Sequence, residues 1–399
     1  MRAAVAGGAW ASVEIILGSF FHNLRLPFSG SFLAMFSTVL VFGFYRMWPY
    51  KGLIWRAGLI AALMKSVSPS AVILGPMIGI FSEALIIEGV LRVMGNNFLS
   101  RTIAGAFSVS MALVHKIVSL LVMYGFHFAT LFVKVLDYLA GKVGIDNPDP
   151  KIFLLIVTGF YALAGLIASN FGNYLGKKAT ENISSSKPAP DKVNQQYTRK
   201  HKGDLPDFSL PLLFAHLIIL PAGLLLLSRL PLVWQIPAVI LYVGFCMIKY
   251  QRSMRRLMRF SFWIQLGLLT MIAAVFWNGF NGNGDFFDAD GLIIGLEMNL
   301  RALFVVIGFS SLGTELGNPK VKQFLIHLGF HRLYEALGLS FLALPGMINA
   351  LPDVKTFLRN PVSGFSAMLS GADDWLHFLL SKKEEQDNNP DYREEKSGM

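Results

Sequence analysis

The chain is a succession of apolar runs about twenty residues long, each the length that crosses a bilayer's hydrocarbon as a helix, separated by clusters of Lys and Arg. In hydrocarbon no water satisfies an exposed backbone N–H or C=O, so only helices and closed barrels can span it. None of the runs alternates with period two as a membrane β-barrel strand does, which leaves helices. With 54% hydrophobic residues and a mean hydropathy of +0.52, the chain carries more apolar surface than a soluble core of 399 residues can hide. The expected fold is all-α and polytopic.

The first half gives six spans: Ala3–Phe21, Gly30–Trp48, Gly52–Met64, Ala71–Met94, Thr102–Tyr124 and Ile152–Leu175. Between the last two, Gly125–Ala140 is amphipathic or interfacial. Residues 177–206 are rich in Lys, Ser, Pro and Asn, the composition of a linker. The second half gives four more spans: Phe208–Leu227, Leu232–Met247, Phe260–Trp277 and Gly291–Leu312. The chain thus divides into a membrane domain at 1–176, a polar linker at 177–206, a second membrane domain at 207–380 and a charged tail at 381–399, with about ten transmembrane helices in all. At the N-terminus the small residues precede the apolar run instead of following it, so the first helix is expected to be retained rather than cleaved as a signal peptide.

Charge sets the orientation. With the N-terminus inside, 27 of the 35 Lys and Arg fall in cytoplasmic segments or at the cytoplasmic ends of spans, 6 fall outside and 2, Lys116 and Arg301, lie deeper within spans. The basic loop holding Lys249, Arg252, Arg255, Arg256 and Arg259 is then cytoplasmic, and the acidic Gly-rich loop NGNGDFFDADG is outside. The net charge of +10 follows from this rule and is no sign of nucleic acid binding.

The stretch from Gly291 to Phe330 is the most informative. A span ends at Gly317-Asn318-Pro319, and Pro319 opens a second segment with Asn318 available as its N-cap. Val321, Phe324, Leu325 and Leu328 recur there at helical spacing beside Lys320, Lys322 and His327. Coupling helices, amphipathic and cytoplasmic, are therefore expected from about residue 318 onward, suited to docking a soluble partner.

Charges inside spans are costly and mark partners, cavities or sites. Glu297 and Arg301 stand at i and i+4, spacing that allows an ion pair on one helix face. Glu83, Glu14 and His115 are the corresponding candidates for substrate binding in the first half, with His22 at the outer loop. His115 and Lys116 point about 100° apart, so only one of the two faces a given pocket. Ala3, Gly7 and Ala11 lie on one face of the first helix at i, i+4 and i+8, which permits close packing between the two halves.

Other chemistry is absent from the pattern. Gly172-Asn173-Tyr174-Leu175-Gly176-Lys177-Lys178 has the wrong spacing for a phosphate-binding loop and ends a membrane helix. The eight His show no metal-ligand spacing, no nucleophilic triad motif is visible, and the single Cys246 sits in an apolar run. No cofactor, no metal and no enzymatic activity of the chain's own are expected.

Two stretches resemble the energy-coupling factor transporters. GLEMNLRALF, FSSLGTELGNPKVKQFL and FHRLYEALGLSFLALPGMINALPDVKTFLRNP resemble the C-terminal region of that family's transmembrane coupling component. The family's Ala-Arg-Gly signature is absent, and Arg359 in Phe357-Leu358-Arg359-Asn360-Pro361 stands roughly in its place. The first half, with six spans and the stretches GSFFHNLRLPFSG and SPSAVILGPMIGIFSEALIIEGV, is similar to the family's substrate-binding component. The resemblance implies a small nutrient bound by the first half and cytoplasmic ABC-type ATPases as partners. It further implies that Lys320, Lys322, Arg332 and Arg359 contact those ATPases. The residues alone also fit a membrane scaffold or an enzyme of lipid-linked substrates, with Glu83, Glu14, His115 and the basic loop at 252–259 acting on anionic headgroups.

Overall fold

In the computed structural model, the residues described are 1–23, 28–65, 74–144, 148–182, 210–250, 260–277, 288–316, 331–350, 357 and 359–388, and their regular structure is entirely helical. The first half forms α1 (Arg2–Asn23), α2 (Ser29–Met47), α3 (Leu53–Lys65), α4 (Leu74–Met94), α5 (Phe98–Tyr124), α6 (Phe126–Lys142) and α7 (Pro150–Asn182). The second half forms α8 (Leu210–Leu227), α9 (Leu232–Lys249), α10 (Phe260–Phe276) and α11 (Ala289–Leu316). Beyond them come α12 (His331–Ala350), α13 (Pro361–Ser370) and α14 (Ala372–Asn388). Among the described residues six helices, α1, α2, α5, α7, α9 and α11, are long and apolar enough to cross a membrane, and α8 and α10 are apolar but shorter. The chain is an all-helical polytopic membrane protein.

Local chemistry sets the helix ends. Asn97 caps α5 by accepting from the Ser100 N–H at 2.7 Å, and the Ser100 hydroxyl accepts from the Asn97 N–H at 3.2 Å, a reciprocal capping box. Gly125, at φ 78°, takes the left-handed turn between α5 and α6 that a side chain would strain. The start of α3 is capped from a distance: buried Glu88 of α4 accepts from the N–H of Gly52 at 2.6 Å and of Ile54 at 3.2 Å. A carboxylate at a helix N-terminus satisfies orphan donors and complements the helix dipole. Glu88 is therefore an in-span charge whose work is to fix α3 against α4.

α1 is the hub. It packs against α2, α3 and α12, and its small residues let all three approach closely. Gly7 backs onto Ala57 and Ile60 of α3, while one residue further round Gly8 faces Met347 and Ser340 of α12. The Ser340 hydroxyl donates to the Ala4 carbonyl at 3.1 Å. The expected Ala3–Gly7–Ala11 face is buried, but at Gly7 it packs within the first half; the contact with the C-terminal helices runs through Ala4 and Gly8, about 100° away.

α7 is the second close-packed helix. Gly165 and Ser169 meet Gly105 of α5, whereas Gly172 and Gly176 meet Val39 and Gly43 of α2. The run that superficially suggests a phosphate loop is a small-xxx-small helix contact.

The expected second domain, residues 207–380, does not pack as one body. α12, α13 and α14 join the core of the first half: Leu337, Ala343, Met347, Phe365, Leu369 and Trp375 are buried with residues of α1, α2 and α3. Leu369 sits over Gly43, and Phe36 lies between Phe357 at 5.9 Å and Phe365 at 5.8 Å. The apolar faces of these C-terminal helices are thus covered by the protein itself. α8 to α11 have their own core around Leu220, Val239, Phe304 and Val305. Outward faces of α7 to α10 expose Leu155, Phe160, Ile218, Leu241 and Leu268, the apolar coat that lipid covers.

Gly172→Leu, which would drive a side chain into Val39, is expected to lower the thermal unfolding midpoint of the purified protein by several degrees. Overpacking typically costs about 1–3 kcal/mol. Gly159→Leu, on the same helix with nothing within 4 Å, should leave the midpoint unchanged.

Candidate functional site

A polar centre lies inside the apolar bundle of α1 to α4. Glu14 of α1, Ser37 of α2 and Lys65 of α3 are each 5% exposed or less, and Trp10 is 1% exposed. Charged groups this far from water persist only when their hydrogen bonds are met. The Trp10 indole donates to Ser37 Oγ at 2.7 Å, and Ser37 Oγ donates to Glu14 Oε1 at 3.0 Å. Lys65 Nζ donates to the Glu14 backbone carbonyl at 2.5 Å and lies 3.7 Å from Glu14 Oε2.

Each element has a reason to hold its side chain there. Lys65 is the last residue of α3, where a cation complements the negative end of the helix dipole. Its stem reaches back over Gly18, where a Cβ would stand 2.9 Å from Nζ. Glu83 of α4 is also buried, within electrostatic reach of Glu14. When all are ionised, two carboxylates face one ammonium. Two acidic side chains beside one ammonium make this centre suited to a cationic or hydrogen-bond-donating ligand group.

The structure therefore brings Glu14 and Glu83 together. His115 is turned onto the first turns of α4, with its ring against Gly79 and its hydrogen bond to the backbone of Gly75. Lys116, its neighbour, is exposed. His22 falls in the last turn of α1, and its side chain lies outside the described residues, as does the adjoining loop at 24–27.

Glu297 and Arg301 do not pair with each other. Glu297 approaches His127 of α6 at 3.9 Å, while Arg301 donates to the Val122 carbonyl of α5 at 3.2 Å and to Ser228 Oγ at 2.5 Å. The i, i+4 spacing permits a pair, but both side chains find partners across the boundary between the halves. Lys134 of α6 strengthens that boundary, donating to the Trp277 carbonyl and lying 4.4 Å above the indole.

Of the residues expected to contact a soluble partner, Arg359 is exposed between α12 and α13. Arg332 falls in the first turn of α12 with its side chain outside the described residues, and Lys320 and Lys322 lie outside them altogether. The sequence reading passed over Lys65, Ser37 and Trp10. Lys65 closes an apolar run and looks like a loop charge; the available signal was that two in-span carboxylates, Glu14 and Glu83, call for a nearby cation.

No family model, curated protein or solved structure matches the chain. The class it belongs to is defined by the fold: a polytopic helical membrane protein with a buried Glu14–Lys65 ion pair in its first half.

Lys65→Met should destabilise the protein by about 3–5 kcal/mol, since removing one partner strands a buried carboxylate. Adding Glu14→Gln should recover much of that loss. Denaturant unfolding of the single and double variants in detergent measures both.

Proposed function

We propose that the chain is a membrane subunit of an importer of the energy-coupling factor type, with a substrate-binding first half joined to a coupling second half. The observation that carries this reading is the seat of α12 on α1. A C-terminal helix of the coupling-like region lies directly on the small-residue face of the first helix, at Ala4 and Gly8. A ligand-induced tilt of α1 would then be felt by α12 without an intervening element.

The substrate is a small nutrient held by the first half. Glu14 and Glu83 are buried acids of its polar centre, so a basic or hydrogen-bond-donating group on the ligand suits it. Because the apolar faces of α12 to α14 are covered, ATPase docking falls to their outer surfaces with Arg359, and to the segment holding Lys320 and Lys322. The reading puts the protein in the cytoplasmic (inner) membrane with both termini cytoplasmic, and the positive-inside bias of its Lys and Arg supports that orientation.

Co-purification from the native host with mass spectrometry of bound proteins and small molecules tests the proposal. The expected result is an ABC-type ATPase in the complex, with Arg359→Glu lowering ATP-driven uptake of the retained molecule about tenfold, equivalent to ~1.4 kcal/mol. Absence of any ATPase, with uptake unaltered in Arg359→Glu, would overturn it in favour of a membrane scaffold or an enzyme of lipid-linked substrates.

A further inference from the structure

The second half contains a buried polar string to which the importer reading assigns no role. His216 of α8 is 1% exposed, and its two ring nitrogens are both engaged. Nδ1 lies 3.0 Å from the hydroxyl of Tyr242 in α9, and Nε2 lies 3.1 Å from the hydroxyl of Tyr250, just past the end of α9. The Tyr250 hydroxyl donates to Glu315 Oε1 at 2.8 Å, and Glu315, in the last turn of α11, is 1% exposed. Four titratable side chains from three helices thus form one continuous chain.

The direction of each bond follows from counting protons. Tyr250 has one hydroxyl proton and gives it to Glu315, so its oxygen must accept from His216. Nε2 therefore carries a hydrogen. Nδ1 is left facing the one group in the string that works both ways: Tyr242 donates to a neutral imidazole and accepts from an imidazolium. A proton added at Nδ1 breaks no bond, since only the Tyr242 hydroxyl must turn. The resulting cation is balanced through Tyr250 by Glu315. Beside the string lies buried Cys246 of α9, packed with Tyr242 and Tyr250, and among the described residues the charged group acting on the ring is Glu315.

We propose that His216 is a proton-binding site, wired through Tyr250 to Glu315 at the foot of α11. The added proton stays on the ring: Nδ1–H donates to Tyr242, Nε2–H still donates to Tyr250, and Tyr250 still donates to the Glu315 carboxylate, so the imidazolium faces its counter-charge through one hydroxyl. This inference does not depend on the importer reading.

Nitrogen NMR of the full chain, labelled with 15N-histidine and held in lipid nanodiscs, tests it directly; loss of one signal in His216→Gln assigns the resonance. At about pH 8 the neutral ring should carry its hydrogen on Nε2, and acidification should convert it to an imidazolium. Glu315→Gln should reduce its proton affinity about tenfold, a shift of one pH unit. Tyr250→Phe, which cuts the string and keeps the ring volume, should give a comparable loss and carries the test if Glu315→Gln does not fold. A hydrogen on Nδ1 at high pH, a ring that stays neutral throughout, or a titration unmoved in the folded variants would each overturn the proposal.

Discussion

Helices immersed in lipid gain little by hiding apolar surface from one another, because the surrounding tails are as apolar as a neighbouring helix. What holds this chain together is close approach at small residues, concentrated in α1 and α7. Gly7 and Gly8 open two adjacent faces of α1, one to α3 and the other to α12. Gly165 and Gly172, seven residues apart on one stripe of α7, open it to α5 at one height and to α2 at another. The hub positions both the polar centre and the C-terminal helices, since Glu14 and Trp10 project from the same helix whose Ala4 and Gly8 receive α12. Any movement of α1 within the first half is therefore also a movement at the C-terminal contact.

Polar groups inside the bundle supply what close packing lacks, namely unique partners. Glu88 fixes α3 to α4, the Glu14–Lys65 pair fixes α1 to α3, and Asn299 ties α11 to α10 by donating to Thr270 Oγ1 at 2.6 Å. Arg301 and Glu297 reach from α11 to α5 and α6. The buried ones among them leave an unmet charge or donor if a helix slides, and that penalty specifies register where apolar contacts are tolerant. The Glu14–Lys65–Glu83 group differs from the rest in having two carboxylates for one cation. A purely structural pair has no need of the second acid.

Much of this was legible in the residues. Helical class and membrane residence follow from run length, and Glu14 and Glu83 stand out because ionisable groups in apolar runs are rare. Three things were not legible. Helical spacing allows Glu297 to meet Arg301 but cannot rank that partner against His127 or the Val122 carbonyl on other helices. The face of α1 that meets α12 is displaced by one residue from the one the i, i+4 pattern suggests, because several small residues in a row open more than one face. Finally, an amphipathic sequence shows that α12 has an apolar side without saying what covers it; here the cover is α1 of the same chain.

That last point bears on how work could pass through the molecule. With α12 to α14 packed on the first half and α11 bonded to α5 and α6, the two halves touch at two separate places. Two separated contacts resist sliding but allow pivoting, provided one of them can yield. The α12 contact is close-packed backbone and small side chains, which transmit strain stiffly. The α11 side joins the halves through a buried apolar cluster, Leu131 with Ala273 and Met298, and through partly exposed polar groups, Glu297 with His127 and Arg301 with the Val122 carbonyl. Both joints are therefore packed as well as bonded, and work passing between the halves has to move the two contacts together.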